Sequence, residues 1–177
     1  MVTIIFESHA TSLDNEKGLA SGLDDVELSE LGQQQAKELG ERYKNEHFDA
    51  IFCSNLKRSY NTAEIAFKNR DFKIIKDKRL RECDYGDLEH HPNEEVNKVR
   101  SKYINQPFPI GESYQECMER MKSFFDDLNK DYQDKKIMII GHRVTQYGLE
   151  HWIKGYSLEK VLTDPWQWQP GWEYVLE

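Results

Sequence analysis

The stretch TIIFESHATSLDNEKG, residues 3–18, decides how this chain is read. An apolar run stops at Ser8, delivers a single histidine, His9, and continues into residues too small to bury it. A second run, KIMIIG at 136–141, ends the same way at His142, and FDAIFCS at 48–54 closes on Ser54. Short unbroken apolar runs of this kind read as strands covered on both faces, as in a parallel sheet.

Working outward, LSELGQQQAKELGERYKNE (28–46) reads as a helix. Ser29 is its N-cap, and Leu31, Ala36, Leu39 and Tyr43 form its apolar stripe. LKRSYNTAEIAF (56–67) reads as a second helix and FKIIKD (72–77) as an edge strand. YQECMERMKSFFDDLNKDY (114–132) reads as a long amphipathic helix before the 136–141 strand, and QYGLEHWIKGY (146–156) as a helix leading away from His142. The segment from Pro92 to Gly111 reads as a helix and an excursion over the sheet edge. This alternation predicts an α/β fold, a three-layer sandwich with a mostly parallel central sheet flanked by helices, in one domain spanning 1–177.

Composition narrows the class. The net charge of −8, from 24 basic and 32 acidic residues, disfavours a nucleic-acid partner. No apolar stretch approaches the roughly 18 residues of a membrane span, and no signal-type segment opens the chain, so a cytoplasmic protein is expected. The mean hydropathy of −0.83 is low, yet 12% aromatic content and recurring apolar runs argue for a folded chain. Cys53, Cys83 and Cys117 are odd in number and share no close ligand spacing, which argues against a disulfide framework or a zinc cage.

In open α/β sheets, ligands sit beyond the carboxyl ends of the strands. His9, Ser54 and His142 all fall there, and Arg58 follows shortly after Ser54. Six segments then resemble, in order, the motifs of the histidine phosphatase, or phosphoglycerate-mutase-like, superfamily. SHATSLDN (8–15) is similar to RHGETxxN, and GLDDVELSELGQQQAKELGERY (22–43) to G-x-x-D-x-x-L-[ST]-x-x-G-x-x-Q-A-x-x-L-G. SNLKRSYNTAEI (54–65) resembles S-x-L-x-R-[AS]-x-x-T-A, and LRECDYGDLE (80–89) resembles L-x-E-x-x-x-G-x-x-E. GESYQECMERM (111–121) and IGHRV (140–144) resemble the later G-E-S and G-H-G segments.

The resemblance implies phosphoryl transfer. A phosphoryl group passing to a neutral imidazole needs in-line placement and donors aimed at its oxygens. By resemblance, His9 is the nucleophile that forms a phosphohistidine, which water hydrolyses. Arg58 supplies a planar fork that matches phosphate, and His142 is the second imidazole on the phosphoryl oxygens. Glu82 is the general acid and then the base, with Asp84 and Glu89 close enough in sequence to compete. Asn15 either donates an amide to phosphate or does ordinary turn work.

One departure stands out. The family's arginine before the histidine is Ser8 here, and the Gly and Glu after it are Ala10 and Thr11. Losing one charged donor costs on the order of a hundredfold in rate or more. Either another cation takes the place, with Arg143 favoured and Arg81 the other candidate, or the site holds phosphate without turning it over well.

EHHPNEE (89–95) reads as a solvated loop with His90 or His91 at the mouth of the site, and a metal there is disfavoured because adjacent histidines diverge. DPWQWQPGWEYVLE (164–177) reads as an extended segment with an aromatic face. Its tryptophans either close the core or wall the pocket. The expected function is metal- and cofactor-free hydrolysis of a small phosphorylated metabolite through phospho-His9, as in a histidine acid phosphatase. The alternative is a phosphate-binding or regulatory protein of the same fold. A mutase is less favoured, because the family's mutases carry longer insertions than 177 residues allow. No nucleic-acid or membrane partner is expected, and pairing with a second copy is compatible with the sequence.

Overall fold

The strands that deliver the two histidines lie side by side. In the computed structural model, which describes all of residues 1–177, β1 (Val2–Ser8) and β4 (Lys136–Gly141) pair in parallel with Ser8 opposite Gly141. β2 (Ala50–Cys53) flanks β4 in parallel, and β3 (Ile74–Lys76) forms the parallel edge beyond it. On the other side β5 (Trp172–Leu176) runs antiparallel to β1, giving the order β3-β2-β4-β1-β5. The C-terminal aromatic segment is thus a strand at its far end.

Alternation along the strands divides the core into two layers. Ile4, Phe6, Phe52, Ile137 and Ile139 face α5 (Tyr114–Asp131), α6 (Arg143–Trp152) and α7 (Leu158–Thr163). Ile5, Ile51, Cys53, Met138 and Ile140 face α2 (Glu30–Arg42) and α3 (Lys57–Phe67). Each fully buried side chain of this size contributes about 1.5–3 kcal/mol. The sheet is therefore covered on both faces, as its unbroken apolar runs require. Ser29 caps α2 by accepting the Gly32 N–H. The predicted apolar stripe holds at Ala36 and Leu39 but not at Leu31, which is 53% exposed because the helix turns that position to solvent.

Two glycines set how closely α2 can lie. A Cβ on Gly32 would stand 1.9 Å from the Thr11 carbonyl oxygen, and one on Gly40 would stand 2.2 Å from that of Ala66. Both approaches are to backbone, which cannot swing aside. α2 thereby clamps the loop that follows His9 on one side and α3 on the other. That loop holds the short α1 (Leu13–Lys17), and the 92–111 excursion holds α4 (Asn93–Val99) followed by a 3₁₀ turn at Arg100–Tyr103. No helix is long and apolar enough to cross a membrane.

Candidate active site

Register brings the site together. Because β1 and β4 end level, the His9 N–H donates to the Gly141 carbonyl, and His9 and His142 emerge next to each other, with ring centroids 5.0 Å apart. β2 ends one strand further over, with Cys53 opposite Ile140, so Ser54 falls beside His142 and its Oγ meets Nε2 at 2.7 Å. A cleft of about 830 Å³ opens over these strand ends, and Ser8, His9, Asn15, Arg58, Glu82, His142 and Arg143 line it.

A hydrogen bond to a carbonyl assigns the tautomer of His9. His9 Nδ1 lies 2.7 Å from the Ala10 carbonyl, which can only accept, so the proton sits on Nδ1 and the Nε2 lone pair is free. Burial, and then the Arg58 charge, push the His9 pKa down to about 3, so the ring is neutral at pH 7. His142 is fully buried and held well below the usual histidine range, first by burial and then by Arg58. Ser54 Oγ accepts the Leu56 N–H and lies 2.7 Å from His142 Nε2, a contact through which it can donate its own proton to the ring. With that donation the His142 proton sits on Nδ1, a buried nitrogen with no partner in the protein.

Arg58, in the first turn of α3, is only 2% exposed. Its Nη1 donates to the Asp24 carbonyl at 2.8 Å and its Nη2 to the Gly22 carbonyl at 2.7 Å, which fixes the fork without neutralising it. The 21–25 segment is in turn pinned: Glu89 Oε1 accepts the Leu23 N–H at 2.7 Å, and His90 lies 3.1 Å from both Asp14 and Asp24. Neither His90 nor His91 reaches the cleft wall, contrary to the sequence expectation. Those two carbonyls and their ties were not visible in the motif.

Glu82 is 8% exposed; Oε1 accepts the Cys83 N–H and Oε2 the Arg143 N–H. The two carboxylates that compete with it in sequence are elsewhere: Asp84 accepts from Gly86, Glu89 from Leu23, and neither lines the cleft. Asn15 Oδ1 accepts the Ser12 N–H in the capping box of α1, which turns its amide nitrogen loose at the cleft wall. The turn role therefore leaves the amide nitrogen of the same side chain available to the cleft.

Arg143 has partners of its own at the cleft wall. As the first residue of α6 its side chain runs along the helix to the residue one turn on, with Nε donating to the Tyr147 hydroxyl at 3.0 Å and the guanidinium over the Trp166 ring at 4.9 Å. Beyond burial, Arg58 lowers the pKa of both His9 and His142, and Arg120 adds to the effect on His142, whereas Arg143 and Arg100 act on the Tyr147 phenol. Arg81 is absent from the cleft lining, its Nε donating to Asn55. Both cations are engaged by neighbours other than Ser8, because an arginine's direction is set by what its own element packs against.

The tail does both things open to it. Trp172 packs on Phe6 in the core, while Trp166 and the 56% exposed Trp168 wall the cleft. The fold also gathers Cys83, Glu112 and Cys117, which sequence spacing could not show; the Arg120 guanidinium sits on Glu112 and on the Cys117 sulfur and serves as the cation there.

Comparison with known proteins follows this geometry. The profile of the histidine phosphatase superfamily (branch 1) matches residues 4–167. Phosphoserine phosphatase 1 of Hydrogenobacter thermophilus is 31% identical over 168 residues, covering 90% of this chain and 80% of that protein. The uncharacterized phosphatase PhoE of Bacillus subtilis is 31% identical over 155 residues, covering 88% and 79%. The solved structure of YhfR from Bacillus stearothermophilus shares the fold with a TM-score of 0.80 at 24% identity, covering 96% of this chain and 88% of that one. With sheet, paired imidazoles and near-complete motif coverage in agreement, this chain belongs to the histidine phosphatase superfamily.

Proposed function

We propose that this phosphatase hydrolyses a small phosphomonoester in the cytoplasm through a phosphohistidine on His9, with no metal. His9 Nε2 attacks phosphorus as the ester P–O bond breaks, and Glu82 delivers a proton to the leaving alkoxide. Water then attacks the phosphohistidine, giving its proton to Glu82 while the P–N bond breaks and its electron pair returns to His9. Arg58, His142 Nδ1–H and the Asn15 amide stabilise the non-bridging oxygens throughout.

The observation that carries this reading is the pairing of a neutral His9, its Nε2 lone pair free, with a buried, unpartnered His142 nitrogen 5.0 Å away ring to ring. Ser8 in place of the family's arginine supports a slower enzyme, and it keeps a phosphate-binding protein of the same fold as the second reading. Incubation with a ³²P-labelled aryl phosphate, followed by a rapid quench, should give acid-labile, base-stable label in the wild type, undiminished by EDTA. If His9→Ala labels equally, or EDTA abolishes turnover and zinc or magnesium restores it, this mechanism is wrong.

A further inference from the structure

Four arginines line the cleft, and their partners differ. Arg58 is held by two carbonyls, and Arg42 lies 3.7 Å from the buried Glu7. Arg100 and Arg143 have no carboxylate within 4.0 Å. Instead Arg100 Nη1 and Arg143 Nε both donate to the Tyr147 hydroxyl, each at 3.0 Å, so the two nitrogens can be no further apart than twice that. Two like charges converge on one neutral oxygen in a chain with eight more acids than bases.

Such an arrangement is costly to leave uncompensated, since like charges repel and a half-buried guanidinium gains little from one phenol. The rest of the local chemistry suits an anion as well. Asn97 Oδ1 takes a second proton of Arg100, Asn93 and Asn97 line the same cleft, and Trp166 covers the far side of Arg143. The cluster comes from two separate elements, the 3₁₀ turn after α4 and the first turns of α6, so no single helix end explains it. Arg100, Arg143 and Tyr147 line the same cleft as His9 and His142, yet both guanidiniums are bonded to Tyr147 and neither to an imidazole.

We propose that Arg100, Arg143 and Tyr147 hold a second anionic group of the substrate, so that this enzyme acts on phosphomonoesters carrying a carboxylate or a further phosphate besides the scissile one. This inference rests on the phosphatase reading above. The forked donors of two guanidiniums around a phenol offer an anion several N–H groups and one O–H, and the anion would take over the repulsion-relieving role that no protein carboxylate fills. It would also fix the ester in one orientation, with the phosphorus over His9.

The test compares n-propyl phosphate, its ω-carboxylate analogue and propane-1,3-diol bisphosphate, together with the five-carbon homologues of each. For the wild type, kcat/KM should be at least tenfold higher for an anion-bearing ester than for the neutral one of equal length, mainly through KM. Whether the carboxylate or the bisphosphate gains more identifies the second group. Arg100→Gln and Arg143→Gln should each lower that ratio at least fivefold, and Arg143→Lys should retain more of it than Arg143→Gln. The ratio, measured on one preparation, is insensitive to how much of a variant is folded. A wild-type ratio near one at both lengths, or Gln variants that leave the ratio within twofold, overturns the proposal while phosphatase activity stands. Absence of His9-dependent turnover on every ester instead overturns the phosphatase reading.

Discussion

Replacing Ser54 by alanine tests how the second imidazole is held. Ser54 is fully buried, and its hydroxyl serves two groups, meeting His142 Nε2 at 2.7 Å and accepting the Leu56 N–H at 3.2 Å. Alanine nearly fills the same volume, so the loss is polar and leaves little cavity. One ring nitrogen and one N–H at the start of α3 are stranded, each at about 1–3 kcal/mol, for a total destabilisation of about 2–4 kcal/mol after relaxation. Catalysis suffers separately, because nothing then keeps the His142 proton on Nδ1. A lost charge-assisted hydrogen bond of about 1.5–3 kcal/mol corresponds to a fall in kcat of about 10–100-fold. Saturating turnover of an aryl phosphate and urea unfolding should be measured on the same protein. Ser157→Ala is the control: this exposed N-cap of α7, outside the cleft lining, should cost about 1 kcal/mol and leave kcat alone. If Ser54→Ala is destabilised as expected yet keeps kcat within twofold of the wild type, the tautomer argument is wrong.

Acid should act through the same rings. A histidine held below its ordinary value of 6.5 stabilises the fold fully above that value and loses the contribution as pH falls toward the folded pKa, about 3 for His9. At pH 5 the wild type should have lost about 1–2 kcal/mol on account of His9, and His9→Asn should remove that share of the slope; identical profiles for the two proteins between pH 7 and 4.5 would refute the shift. Ser8→Arg adds a second guanidinium beside His9 to the charge that Arg58 already supplies, and should raise kcat/KM for aryl phosphates about tenfold or more. An unchanged or lower rate would mean that the cleft has repacked around the serine.

Much of this was legible because it depends on local pattern. The apolar runs ending at His9, Ser54 and His142 fix three strand ends, and parallel register then brings them together without further information. Ser29, followed by a helical stripe, announces the start of α2. Side-chain direction was not legible. Arg143 follows His142 in sequence, yet the helix it opens sends its guanidinium to Tyr147 and Trp166, and no sequence rule places those partners there. The clamp on Arg58 is made of backbone carbonyls of Gly22 and Asp24, whose residue types carry no trace of the role. Leu31 misled because one apolar residue fits a stripe whichever way the helix is rotated by a few tens of degrees, and only packing chooses. The gathering of Cys83, Glu112 and Cys117 is likewise a tertiary event.

The place of β1 in the sheet bears on how the chain reaches this state. Its two neighbours are β4 and β5, so the strand made first is matched by residues 136–141 on one side and 172–176 on the other. During synthesis TIIF therefore has no ladder partner until some 130 residues have followed it, a span read from the pairing of Thr3 with Lys136. Contacts so distant in sequence make nucleation slow, and they leave a β-branched apolar segment open to other chains in the meantime. β2, α3 and β3 can assemble among themselves earlier, but the edge that receives β1 arrives only with β4. His9 is thus brought beside His142 and Ser54 only once β4 has been made and has paired with β1 and β2, and a chain cut short of β4 leaves His9 at the end of a strand without that partner.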